Sequence, residues 1–369
     1  MSKKVLIVAS VVKTHIMQFH IPTLKMLKEM GYEVHVCAKN DYRNAAECQV
    51  PFCDKYINIG FNRTPLSIKN YKSYNQLKKL MLNEQYDIVH CHTPVPSALT
   101  RLAIKNFKHK PKVIYTAHGF HFYKGAPIKN WLIFYPIEMY LSKYTDVLII
   151  INQEDYSIVK TKFKAKEIRL VNGVGVDVDK FKSLSNAEKN KLREKLGFDN
   201  DDFIIVYVAE LVRNKRQLDL IRAVQQVNNI KIKLLLIGQG IEHSNYSEYI
   251  ENNNLDNQVE LLGYQNNINE WLNITDLYIS PSEREGLPVN ILEALAVGLP
   301  VLASNCRGNR DLISEEYLFE VGDIQGLEKL INESITNTQD YTSKIDIKNY
   351  TSNSFLNQLN KIYLEKGML

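Results

Sequence analysis

A chain of 369 residues that is 45% hydrophobic and 24% charged holds enough apolar material for two cores, which excludes a disordered chain, a collagen-like repeat and a small disulfide scaffold. Its formal charge of +5 hides an uneven split, because residues 1–185 carry 28 basic and 14 acidic side chains and residues 186–369 carry 18 and 27. A +14 half followed by a −9 half predicts two domains that attract different partners.

Met1-Ser-Lys-Lys leads into the apolar run Val5–Val12, which is shorter than the roughly 18 residues that span a bilayer. The run has no small-residue cleavage site and continues into Lys13, so neither a signal peptide nor a membrane helix is expected and the chain is read as cytosolic. Strands follow at Lys4–Ala9, Glu33–Cys37, Ile88–Cys91, Val113–Thr116, Val147–Ile150 and Ile168–Val171, with helices at Thr23–Met30 and Ser67–Asn83 among them. Asn172–Asn186, rich in Gly, Asn and Ser, reads as the linker. Beyond it come strands at Phe203–Ala209, Ile232–Ile237, Val259–Leu262, Leu277–Ser280, Pro300–Ala303 and Tyr317–Glu320, with helices near 215–228, 246–254, 267–274 and 288–297. A last helical pattern, Ser352–Lys366, is placed to pack back on the first domain. Such alternation of short apolar runs with helices predicts an α/β chain of two doubly wound, Rossmann-like domains. The expected bounds are 1–180, 181–350 and a terminal helix in 351–369. Five cysteines (Cys37, Cys48, Cys53, Cys91, Cys306), with no C-x-x-C, read as mostly buried thiols.

Ligands of open parallel sheets bind beyond the carboxyl ends of the strands. There, Ser282–Ser304 contains Gly286 for a tight turn and Pro288 for the first turn of a helix, whose free N–H groups form an anion seat. Glu285 and Glu293 flank that seat, up to about 12 Å apart on a helix. One carboxylate for a sugar hydroxyl, a helix N-terminus for a diphosphate and a second carboxylate for a ribose diol is the layout of a nucleotide sugar. Two solvated carboxylates on an amphipathic helix is the plainer alternative.

Residues 282–301 follow the pattern S-x-x-E-G-x-P-x-x-x-x-E-A-x-A-x-G-x-P-V almost throughout, and the chain thereby resembles the family-four glycosyltransferases of the GT-B fold. The resemblance implies that Glu293 binds the nucleotide ribose and that Glu285 contacts the transferred sugar or the acceptor. Ala209-Glu-Leu-Val-Arg-Asn-Lys215 stands where the family has G-R-L-V-x-x-K, so Lys215 is expected at the diphosphate. Glu210 replaces the family's Arg, and Arg213 or Arg216 is expected to supply the second positive contact. Gly238 and Gly240 in Leu236-Ile-Gly-Gln-Gly240 are expected near the nucleotide, with the backbone at Gly263-Tyr264 near the base and Gly286, Leu287, Pro288 and Val289 lining the donor seat. Each of these also reads as an ordinary turn or packing residue.

Eight of the nine histidines lie in the first half. His118, in Tyr115-Thr-Ala-His-Gly-Phe-His-Phe-Tyr-Lys124, matches the family's active-site histidine and is expected to hydrogen-bond the donor sugar. Lys13, Thr14, His15, His92, His121 and Lys124 are the acceptor-side candidates. His90-x-His92 also suggests a metal hydrolase, and Asp199-Asn-Asp201 is a literal D-x-D, but neither has a spacing that secures a metal; none is expected as cofactor.

The expected function is metal-independent, retaining transfer from a nucleoside diphosphate sugar, with UDP as nucleotide, to a glycan or polyprenyl-diphosphate-linked acceptor of bacterial surface polysaccharide. Donor would sit mainly on the second domain and acceptor mainly on the first. A sugar-nucleotide epimerase and a non-catalytic nucleotide-sugar-binding protein remain the alternatives. Lys69, Lys72, Lys78 and Lys79, with Lys105, Lys108, Lys110 and Lys112, are expected to hold the first domain against an anionic membrane, and nucleic acid is not an expected partner.

Overall fold

The computed structural model describes residues 2–62, 64, 67–227, 231–336 and 343–365. Two compact units emerge, Met1–Val174 with Asn353–Leu369, and Gly175–Ser352, so the chain changes unit before the expected Lys180 boundary.

In the first unit the strands are β1 (Lys4–Val11), β2 (Glu33–Lys39), β3 (Lys55–Asn58), β4 (Ile88–His92), β5 (Lys112–Ala117), β6 (Val147–Ile150) and β7 (Glu167–Leu170). They form one parallel sheet in the order β3-β2-β1-β4-β5-β6-β7. Alternation along β1 sends Val5, Ile7 and Ala9 into one core and Leu6 and Val8 into the other, because successive strand side chains face opposite sides of the sheet. Helices α1 (Ile21–Glu29), α2 (Lys69–Glu84), α3 (Pro94–Ile104), α4 (Ile128–Leu141) and α5 (Gln153–Lys160) follow the strands.

Sequence reasoning gave no strand at β3, whose four residues form a half-exposed sheet edge with too little apolar surface to read as a run. The expected loop Ser10–Ile16 is instead the end of β1 followed by a π-helical turn at Val12–Ile16. Asp41 supports that turn by accepting from the backbone N–H of Lys13 (2.6 Å) and from the Thr14 hydroxyl (2.9 Å).

The second unit holds α6 (Asn186–Leu196), β8 (Phe203–Val208), α7 (Gln217–Gln226), β9 (Ile232–Ile237), α8 (His243–Asn252), β10 (Val259–Gly263), α9 (Ile268–Asn273), β11 (Leu277–Ser280), α10 (Val289–Val297), β12 (Val301–Ser304), α11 (Asn309–Leu312), β13 (Leu318–Phe319) and α12 (Ile324–Thr336). Its parallel sheet runs β10-β9-β8-β11-β12-β13. From Gly175 on, the expected linker is built into this unit: Val176 pairs with Thr351 as a parallel bridge, and Ser185 caps α6 with a reciprocal Glu188 contact. Asp199 and Asp201 lie in the turn before β8, Asp201 ion-paired to Lys231.

Helix α13 (Ser352–Glu365) returns to the first unit, where Phe355, Leu359, Ile362 and Tyr363 complete the core over β1. Lys366, the expected end of that helix, lies outside the described residues. Cys37, Cys91 and Cys306 are buried, Cys48 and Cys53 half-buried.

Candidate functional site

Strand order in the second unit reverses between β8 and β11, and the loops leaving neighbouring strands on either side of such a reversal open a crevice. Lys215 comes from the loop after β8 and Glu285 from the loop after β11. Their Nζ and Oε1 meet at 2.5 Å. Glu285 also accepts from Ser282 Oγ at 2.6 Å, and Ser282 pairs with the Tyr207 hydroxyl at 2.7 Å, so one chain of contacts joins strand and loops. Burial would depress the Lys215 pKa, but the Glu285 carboxylate outweighs it and raises the ammonium above its ordinary value. Arg307, which sequence reasoning did not single out, is buried and donates from Nε to the Glu285 carbonyl at 2.9 Å.

The other carboxylate differs. Glu293 sits in α10 and accepts no hydrogen bond among the described residues, and burial pushes its carboxyl up to about 7, with the Lys180 charge opposing the rise. Glu293 is half-buried, and a carboxylate partly withdrawn from water with no hydrogen bond from the described residues favours its protonated form and has room for outside donors. Gly286 is half-buried, Leu287 and Pro288 are buried, and Val289 begins α10.

Of the two candidate arginines, Arg216 has a left-handed backbone at the start of α7 and donates from Nε to Asp219 at 2.5 Å. Arg213 is exposed, and its side chain has no partner among the described residues. Gly238 and Gly240 are demanded by the protein's own main chain, since a Cβ at Gly238 would lie 1.9 Å from the Ala209 carbonyl oxygen and one at Gly240 would lie 2.1 Å from that of Leu211. Tyr264 is 63% exposed.

In the first unit the reversal falls between β1 and β4. His15, His92 and His118 come from the ends of β1, β4 and β5, and the structure gathers them: ring centroids are 6.3 Å apart for His15 and His92, 5.3 Å for His15 and His118, and 5.5 Å for His92 and His118. His92 Nδ1 and His118 Nε2 are 3.2 Å apart. Thr93, next in the chain, is β-branched with φ +63°, a strain on the order of 1–3 kcal/mol held beside these rings.

Two further histidines join them. His20 packs on His92 at 4.1 Å, and His90 packs on His92 at 4.2 Å. His20 lies outside any strand end, so no loop pattern marks it; the π-helical turn carries it there. The suggested His90–His92 metal pair does not form, because His90 uses both nitrogens, Nδ1 with the Tyr363 hydroxyl (2.9 Å) and Nε2 with Thr116 (2.8 Å). Burial lowers the pKa of His90 and His118 to about 3 and drives those of His20 and His92 well below the imidazole range. Lys13 and Thr14 are instead exposed and held at Asp41, His121 stacks on Phe134 at 4.6 Å, and Lys124 donates its backbone N–H to Glu154 at 2.7 Å.

Residues 188–351 match the family model described as glycosyl transferases group 1, and residues 4–152 match the one described as glycosyl transferase 4-like. EpsD of Bacillus subtilis (strain 168), provisionally named a glycosyltransferase, is 41% identical over 330 residues, 88% of this chain and 85% of that protein. An Escherichia coli UDP-Gal:alpha-D-GlcNAc-diphosphoundecaprenol alpha-1,3-galactosyltransferase is 32% identical over 76% of this chain and 74% of its own. Among solved structures, Anabaena HepE in complex with UDP superposes with a TM-score of 0.74 at 19% identity, over 98% of this chain and 99% of that one, a likeness of fold.

Proposed function

We infer the reaction from membership: the chain belongs to the family-four glycosyltransferases of the GT-B fold, enzymes of the type that build bacterial surface polysaccharide. The donor in this reading is a UDP-sugar bound to the second unit. The observation that carries it is the contrast between two carboxylates, Glu285 paired with Lys215 and Glu293 half-buried with no hydrogen bond among the described residues. Glu293 takes both hydroxyls of the ribose, which supply the donors it lacks. Lys215 and Arg213 take the diphosphate with the first N–H groups of α10. Arg213 fills the place left by Glu210, since Arg216 is already engaged with Asp219.

Transfer proceeds with retention. The acceptor oxygen attacks the anomeric carbon on the face from which the diphosphate leaves, that carbon–oxygen bond breaks, and the acceptor proton passes to the departing phosphate oxygen. Lys215 and the α10 N-terminus stabilise the charge that grows there, without a catalytic metal. His118 hydrogen-bonds the donor sugar, and His15 and His92 border the acceptor, a glycan on a polyprenyl diphosphate. The relative that carries diphosphoundecaprenol in its name supports that acceptor class.

A lipid-linked acceptor places the first unit at a membrane surface. Helix α4 suits that contact, with Ile128 77% and Leu132 72% exposed, Ile133, Ile137 and Tyr140 also exposed, and Lys129 and Lys143 beside them. Among the described residues no helix is long and apolar enough to cross a membrane, so the association is peripheral.

Release of UDP from candidate UDP-sugars, measured with acceptor in EDTA, tests the reading. Turnover is expected in EDTA, with Lys215→Ala about 10²–10³-fold slower. Strict metal dependence overturns the mechanism, and an isomerised sugar nucleotide formed without acceptor would favour an epimerase.

A further inference from the structure

The imidazoles of the first unit are more than transfer to an acceptor asks for. His15 Nε2 and His20 Nε2 lie 3.2 Å apart, and one ring nitrogen from each of His15, His20 and His118 lies within 4.8 Å of the others. His92 Nε2 is buried with no hydrogen-bond partner. A neutral imidazole has one N–H and one lone pair, so rings that converge on one point can share protons only pairwise. For His20 and His92 burial disfavours the charged form, and the groups that act on these two are other histidines.

We propose that His15, His20 and His118 bind a late first-row divalent cation, Zn²⁺ in the first instance, as a three-imidazole site with one coordination position open. The 3.2 Å between His15 and His20 is close to the edge of a zinc tetrahedron, about 3.3 Å for bonds of about 2.0–2.1 Å. His15 and His118 are only half-buried, so rotation of their side chains closes the remaining spread. His92 supplies the outer contact that orients His118, as hydrogen bonds to metal-bound imidazoles commonly do. Three neutral nitrogens without a carboxylate select Zn²⁺, Co²⁺, Ni²⁺ or Cu²⁺ over Mg²⁺ and Ca²⁺. The cation takes no part in the transfer chemistry, although the site shares His118 with it. Because His118 serves in both, bound cation takes that side chain from the donor sugar and slows turnover.

Cobalt titration of the full-length chain, stripped with EDTA and dialysed, tests the site without relying on turnover. Tetrahedral Co²⁺ absorbs strongly in the visible, whereas the hydrated ion barely does. One equivalent with intense visible bands is expected, bleached when Zn²⁺ is added. His118→Gln and His20→Gln each weaken binding by more than about a hundredfold, since loss of a ligand exceeds the loss of an outer contact. His109→Gln and His243→Gln leave it unchanged. Should His20→Gln fail to fold, His15→Gln, at a half-buried position, makes the same test. A wild-type chain that takes up no stoichiometric Co²⁺, or bands that survive His118→Gln and His15→Gln, overturn the proposal.

Discussion

Glu293 shows how much one side chain's surroundings decide. Its folded-state pKa, pushed up to about 7 by burial, lies above its ordinary 4.5, so the protonated form is the one that favours folding. That contribution is whole below pH 4.5 and is lost as pH rises through 7. Glu293→Gln should therefore match wild type in stability near pH 4.5 and exceed it above pH 7, by on the order of 1–3 kcal/mol, read as a difference in Tm. UDP affinity should run the other way. Ribose hydroxyls donate to the ionised carboxylate, so wild-type affinity measured by calorimetry rises between about pH 6 and about pH 8, and the Gln variant loses that dependence. The pair Glu285–Glu293 was legible as a pattern; the difference between its members was not, because Lys215 reaches Glu285 from a loop 70 positions away.

At the level of elements, the alternating strands were readable because a strand buried on both faces must be apolar along its length. Helix α4 escaped assignment because it is apolar on nearly every side and contains Pro136, so no 3.6-residue period stands out. That same composition leaves its large side chains exposed. Leu132→Asp should reduce sedimentation with anionic vesicles at least tenfold, given the cost of placing a charge at an apolar boundary, while the unfolding free energy stays within about 1 kcal/mol of wild type because the site is exposed. If vesicle binding survives the substitution, the lysines of α2 rather than α4 carry the contact. The glycines after β9 teach the converse. Whatever else lies beside them, they are required by the carbonyls of Ala209 and Leu211, which leave no room for a Cβ.

Across the molecule, the division into two units is not a simple cut, since α13 closes the first core from the far end of the chain. Tyr363 is fully buried there, with its hydroxyl on His90 Nδ1. Tyr363→Phe keeps the ring and leaves a buried imidazole nitrogen unpaired, so the unfolding free energy in urea should fall by about 1–3 kcal/mol. An unchanged midpoint would mean that the contact adds nothing.

The sequence by itself determined the two parallel α/β sheets, the Glu285–Glu293 segment and Lys215, because strand patterning and the ligand-binding loops that follow strands are local properties of the chain. Only the tertiary structure decided that Arg216 pairs with Asp219 while Arg213 stands exposed, that His20 joins His15, His92 and His118, and that His90 is spent on Tyr363 and Thr116. Those outcomes depend on which side chains from distant strands share one burial environment. Pairing and desolvation are set by partners far apart in sequence, and no local pattern records them.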